Sequence, residues 1–184
     1  MPVREVLQLG NPILREQAAM VADPGAPEIA ALLDDLRDTL AHWKGTTGYG
    51  RGIAAPQIGV LERVIFLNIG GCDPWPMINP EIVDASEETI VVWDACLSFL
   101  TIFFCVTRHA RIRVRYQDTT GTVHEVDAEG DLSELLQHEI DHLDGVLALD
   151  RITDVRTIVS KQEFEARYRD CTAYASPSRE YQSP

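Results

Sequence analysis

Apolar residues recur at helical spacing in two long stretches of the chain and alternate at strand spacing through much of the rest. Ile29, Leu32, Leu33, Leu36, Leu40 and Trp43 mark one face of a helix that Pro27 can start and Gly45 can stop. Leu132, Leu135, Leu136, Ile140 and Leu143 mark a second face. For this second helix Asp131 is the expected N-cap, Glu134 the residue reaching back in a capping box, and Gly145 the left-handed terminator.

Between the helices the period changes. Residues 61–69, 77–83 and 89–93 read as extended segments, with a turn at 70–74, and an apolar run follows at 99–106. Residues 111–116 alternate cleanly, Asp118-Thr119-Thr120-Gly121 turns, and residues 122–126 return, which predicts a hairpin. A short apolar strand is expected at 146–149 and a last helix at 160–168. Residues 3–21 read as a short extended piece turning at Gly10-Asn11-Pro12. Residues 1–170 are expected to form one domain, with 171–184 a polar, disordered tail.

Charge narrows the picture. Against 16 Lys and Arg stand 29 Asp and Glu, a net charge of −13 over 184 residues, which disfavours unaided binding to nucleic acid or an anionic membrane. The first residues have no apolar signal core and no apolar run approaches the ~20 residues of a membrane helix, so a cytoplasmic protein is expected. Cys72, Cys96, Cys105 and Cys171 show no C-x-x-C pairing, and free thiols are expected.

The chemistry concentrates in the second helix, where Gln137-His138-Glu139-Ile140-Asp141-His142 is an H-E-x-x-H run. Two histidines four residues apart on a helix stand about 5–6 Å apart at Cβ, a chelating distance. Glu139 follows the first of them, where a general base for a metal-bound water belongs. Both histidines flank the apolar stripe beside Leu135, so semi-burial is expected. A catalytic metal needs a third protein ligand. Asp150, Asp154, Glu163 and Glu165 are candidates downstream, and Cys96 upstream, although a cysteine of that kind is more often a small core residue. Upstream, Gly50 and Gly52 in the glycine-dense loop 45–52 permit positive φ angles and close backbone approach to a ligand.

Three stretches together resemble the motifs of peptide deformylases: Gly50-Arg51-Gly52-Ile53-Ala54-Ala55-Pro56-Gln57, Cys96-Leu97-Ser98, and the run from Gln137 to His142. The resemblance covers roughly residues 3–152, with Ile78-Asn79-Pro80 and Gly145-Val146-Leu147 in matching places. It implies an α+β fold in which small antiparallel or mixed β-sheets pack around the central metal-binding helix, with an N-terminal scaffold helix and a C-terminal helix. It implies that Cys96, His138 and His142 hold one divalent ion, Fe2+ by expectation, with Zn2+, Ni2+ or Co2+ able to replace it. Glu139 would move the proton, while the Gln57 amide and the Leu97 N–H would stabilise the oxyanion and Gly52 would meet the formamide. The implied activity removes N-formyl groups from formylmethionyl peptides and nascent chains, with transient ribosome contact.

This sequence departs from the family pattern in places that bear on substrate. Asp94-Ala95-Cys96 stands where Glu-Gly-Cys is usual, and Phe103 falls near the place of a basic residue that holds the peptide in some members. Arg51 and Asp131 replace apolar residues near the pocket for the methionine side chain. Either they pair or Arg51 meets an anionic or polar substrate group; equally, Asp131 can be a plain N-cap with Arg51 in solvent. Two further readings follow: a different N-formylated substrate, or a metal-binding homologue without turnover.

Overall fold

The computed structural model describes residues 3–70 and 74–169. Helix α1, Pro27–Thr47, runs past Gly45 and ends at Gly48, which takes φ +74° and returns its N–H to the Lys44 carbonyl. Gly45 lacks such a conformation and therefore does not stop the helix; Gly48 does.

Five strands follow one another into an antiparallel sheet of order β1-β2-β3-β6-β7: β1 is Gly52–Ala54, β2 Val64–Leu67, β3 Trp75–Ala85, β6 Arg111–Gln117 and β7 Val123–Glu129. Strand β2 is shorter than the expected 61–69 and apolar at every position, because both of its faces are covered. Val64 and Phe66 pack toward α1 with Leu36, Leu40 and Ile53, whereas Ile65 and Leu67 face the second helix. The predicted hairpin is β6–β7, in register from Arg111 opposite Glu129 to Gln117 opposite Val123.

A second sheet joins β4 (Thr89–Asp94), β5 (Ile102–His109) and β8 (Val159–Ser160) in the order β4-β5-β8. All strand pairs in both sheets are antiparallel among the described residues. The segment at 146–149 is no strand: Ala148–Arg151 form a 3-10 turn whose Ala148 and Leu149 pack on Val92, Phe104 and Val106, and Ile152 makes an isolated bridge to Val106.

Helix α2, Gly130–Leu143, is wedged between the sheets. Its Leu132, Leu135, Leu136, Ile140 and Leu143 pack on Ala54, Ile65, Leu67, Met77, Ile112 and Val114 of the first sheet. Its opposite side meets β4 and β5, so every residue from Leu132 to Leu143 is buried. The expected Asp131 cap does not form. Strand β7 passes into the helix without a loop, Glu129 is the extended N-cap with no side-chain cap bond, and the Gly130 N–H goes to the Ala110 carbonyl. Helix α3, Lys161–Arg167, begins at Ser160, whose hydroxyl accepts from the Glu163 N–H. The expected disordered tail at 171–184 lies outside the described residues, as does Cys72.

Candidate metal centre and cleft

Cys96 ends the extended run from β4, just before a 3-10 turn at Leu97–Phe99 that turns its sulfur toward α2. Its Sγ accepts from the Ser98 N–H at 3.4 Å and lies 3.2 Å from His142 Nε2. One donor atom from each of Cys96, His138 and His142 falls within 4.8 Å of the others. All three residues are buried, the histidines at 6% and 1% exposure, not the semi-burial expected from an edge position. The reason is the second sheet, which covers the face of α2 that periodicity leaves open.

His138 Nδ1 is 2.9 Å from Asp94 Oδ1. That contact assigns the inner ring nitrogen to a carboxylate and leaves Nε2 for the centre, the usual arrangement of a metal-bound histidine. Burial opposes charge on Asp94, but His138 and Arg108 outweigh it and hold the carboxyl well below its ordinary range. Burial, helped by the charge of His138, pushes His142 well below the ordinary imidazole value, toward the neutral form a metal requires. His142 Nδ1 and Glu139 Oε2 are buried without hydrogen-bond partners among the described residues. A soft thiolate and two imidazoles with this supporting shell fit a divalent transition metal.

Glu139 is 3% exposed, and burial, against the charge of His138, pushes its carboxyl up to about 7. Gly52 is a glycine for its sake: a Cβ there would stand 2.5 Å from Glu139 Oε1 and 2.9 Å from Leu67 Cδ2. Its φ lies outside the left-handed region, unlike that of Gly50 at +126°, so of the two glycines only Gly50 uses the positive φ that both permit. The Gln57 carboxamide is oriented by the Ala54 N–H, which donates to Oε1 at 2.9 Å, and this aims Nε2 at Cys96 Sγ (3.4 Å) and Ser98 Oγ (3.3 Å).

A cleft of about 580 Å³, counting its open mouth, gives access to the centre. Gly50, Arg51, Gly52, Gln57, Leu97, Phe103, His138 and Glu139 all line it, with Trp93 and Glu134. Phe103 does so as part of an aromatic wall: it stacks on Phe164 of α3 at 4.1 Å and meets the edge of Tyr49 at 5.4 Å. Asp131 is not on the wall; its side chain is 32% exposed and its Oδ2 is 3.9 Å from Arg51 Nη1. Arg51 is not in solvent. Its Nη2 donates to Glu134 Oε2 at 2.5 Å, and the Arg51 and Glu134 side chains are 15% and 3% exposed.

A family model described as polypeptide deformylase matches residues 3–157. The chain belongs to that family. It is 36% identical over 154 residues to the peptide deformylase of Thermotoga maritima, covering 84% of this chain and 90% of the relative. It is 39% identical over 171 residues to that of Rhodopseudomonas palustris strain BisB5, covering 90% and 94%. The crystal structure of the Thermotoga maritima deformylase superposes with a TM-score of 0.77 at 36% identity, over 84% of this chain and 100% of that one. A Met-Ala-Ser-bound structure of a class I type b peptide deformylase from Acinetobacter baumannii superposes with 0.75 at 30% identity, over 82% and 99%. The protein is thus an enzyme of the deformylase family, with the family's α+β fold. No helix among the described residues is long and apolar enough to cross a membrane.

Three site features escape the sequence reading. Glu134 holds Arg51 instead of capping its own helix. Asp94 orients His138 and also accepts from Arg108 Nη2 at 3.1 Å. Arg108 Nη1 in turn donates to Asp141, which also accepts from Arg151. A signal existed: Glu134 and Asp141 lie four before and three after His138, on its helical face, and Arg108 shares the inward side of β5 with Phe104 and Val106.

Proposed function

We propose that this enzyme removes the N-formyl group from peptide N-termini in a metal-dependent hydrolysis, formylmethionyl nascent chains being the ordinary form of such a substrate. Cys96, His138 and His142 would hold one divalent ion, with Fe2+ the expected metal and Zn2+, Ni2+ or Co2+ able to take its place. When bound, the ion supplies Lewis-acid polarisation and makes water acidic enough to attack near neutral pH.

The chain's own groups do the rest. Glu139, with its carboxyl near 7 and one oxygen unpartnered, accepts the proton of the attacking water and passes it to the leaving amine. Gln57 Nε2, fixed by the Ala54 contact, and the Leu97 N–H at the start of its turn stabilise the developing oxyanion. Phe103, Trp93 and Leu100 give the cleft an apolar side. A neighbouring hollow shares Leu97 and Leu100 with the cleft and continues past Gln8, Trp43 and Lys161, a course suited to the rest of a peptide.

The observation that supports this reading most directly is the convergence of the three buried donor atoms within 4.8 Å, beside a buried glutamate. The test is formate release from an N-formylated tripeptide by protein prepared without oxygen and loaded with ferrous iron, with Glu139→Ala as control. Release that disappears in the control is expected. Metal binding with no formate from any formylated peptide overturns the proposal.

A further inference from the structure

The cleft wall beside the metal centre carries a buried ion pair. Arg51 immediately precedes the close-approach glycine Gly52, and its guanidinium reaches across to α2, where Nη2 meets Glu134 Oε2 at 2.5 Å and Nη1 lies 3.9 Å from Asp131 Oδ2. Arg51 and Glu134 line the same cleft as His138 and Glu139. Glu134 is one helical turn before His138, and carboxylate oxygens of Glu134 and Asp94 come within 4.8 Å of a His138 ring nitrogen. A group held at the reacting centre therefore places its neighbouring side chain within reach of the pair.

What such a wall accepts follows from the energetics of buried charge. A guanidinium has five N–H donors in a fixed fork and a carboxylate about four acceptor sites, more than their mutual contact uses. An apolar side chain laid against them excludes water without replacing its hydrogen bonds. A carboxylate would face Glu134, and a cation would face Arg51, so each meets like charge. A neutral group with both donor and acceptor suits the pair, and methylenes leading to it fit the adjacent Leu135 and Trp93.

We infer that the Arg51–Glu134 pair sets the side-chain specificity of this enzyme, selecting a formylated residue with a neutral hydrogen-bonding side chain of carboxamide type over an apolar or thioether one. This rests on the deformylase reading and keeps its reaction, but makes the methionyl form the poorer substrate of this enzyme. Neither residue is assigned to the chemical step; the pair acts on which substrate is retained.

The test compares kcat/KM for formate release from formyl-Gln-Ala-Ser, formyl-Met-Ala-Ser, formyl-norleucyl-Ala-Ser and formyl-Glu-Ala-Ser, using the ferrous enzyme and the double variant Arg51→Val/Glu134→Ile. The wild type is expected to favour the glutaminyl peptide over the norleucyl one by roughly tenfold or more, and the double variant to invert that order. A wild type that prefers the norleucyl or methionyl peptide overturns the inference while leaving deformylation intact. So does a preference for the glutamyl peptide. If no formate appears from any of the four, the deformylase reading itself falls and the specificity with it.

Discussion

His138 is held by Asp94, with Nδ1 2.9 Å from Oδ1, and Asp94 is itself held by Arg108 at 3.1 Å. The imidazole is therefore fixed in tautomer and direction by a chain of charge that runs from buried Asp94 and Arg108 to Asp141 and the exposed Arg151. A shorter carboxylate at position 94 still reaches both partners.

Asp94→Asn keeps the shape of the side chain but removes the charge that fixes His138. Metal affinity, measured by competition with a chromophoric chelator, should fall roughly 10- to 100-fold. Unchanged affinity would mean that packing alone orients the ring.

Glu139→Gln should lower kcat by roughly 10²- to 10⁴-fold while the metal stays bound. In metal-free protein the same residue should set a pH dependence. The folded-state carboxyl sits near 7, above the ordinary value of 4.5, so folding favours the protonated form. Its contribution to stability is complete below about 4.5 and is lost as pH rises through about 7. Denaturant titrations of metal-free wild type and Glu139→Gln should agree at low pH, separate as pH rises from about 4.5 to about 7, and stay apart by a constant amount above that, with wild type the less stable.

Gly52→Ala places a methyl 2.5 Å from Glu139 Oε1 and 2.9 Å from Leu67 Cδ2. A stability loss of about 1–3 kcal/mol is expected, together with a loss of turnover greater than the stability loss explains. Normal turnover in Gly52→Ala would show that Glu139 moves aside freely.

Gly145→Ala tests the end of α2. Gly145 has φ +70°, and an added Cβ would come within 2.5 Å of the Arg15 carbonyl oxygen. Thermal unfolding should shift down by an amount equivalent to about 2 kcal/mol or more, since the obstructing atom is backbone.

Phe164→Ala removes the ring stacked on Phe103 from a helix that lies beyond the residues matched by the family model. The buried ring should cost about 3–5 kcal/mol, and KM for a formylated tripeptide should rise because the Phe103 wall loses its support. An unchanged KM in a folded variant would detach α3 from substrate binding.

The main helices and the hairpin were legible because their signals are local, whereas their α+β arrangement came from the resemblance of the motifs. The α1 stripe from Ile29 to Leu40, the 111–126 hairpin and the stripe of α2 appear where periodicity places them. Local signals also misled. Gly45 looks like a helix stop and is not, since Lys44 and Gly48 complete another turn. Asp131 and Glu134 have the spacing of a capping box, but β7 feeds straight into α2 and Glu134 turns to Arg51, 83 positions away in sequence.

The sequence by itself determined that His138 and His142 share one helical face with Glu139 beside them, because an α-helix brings residues four apart together whatever surrounds it. The resemblance of its motifs, not periodicity, singled out Cys96 among the possible third ligands. Only the tertiary structure decided how buried those groups are, that Asp94 rather than water orients His138, and that Arg51 turns inward to Glu134. Each of these depends on two sheets closing over both sides of one helix, and the desolvation that follows makes charges seek partners far away in the chain.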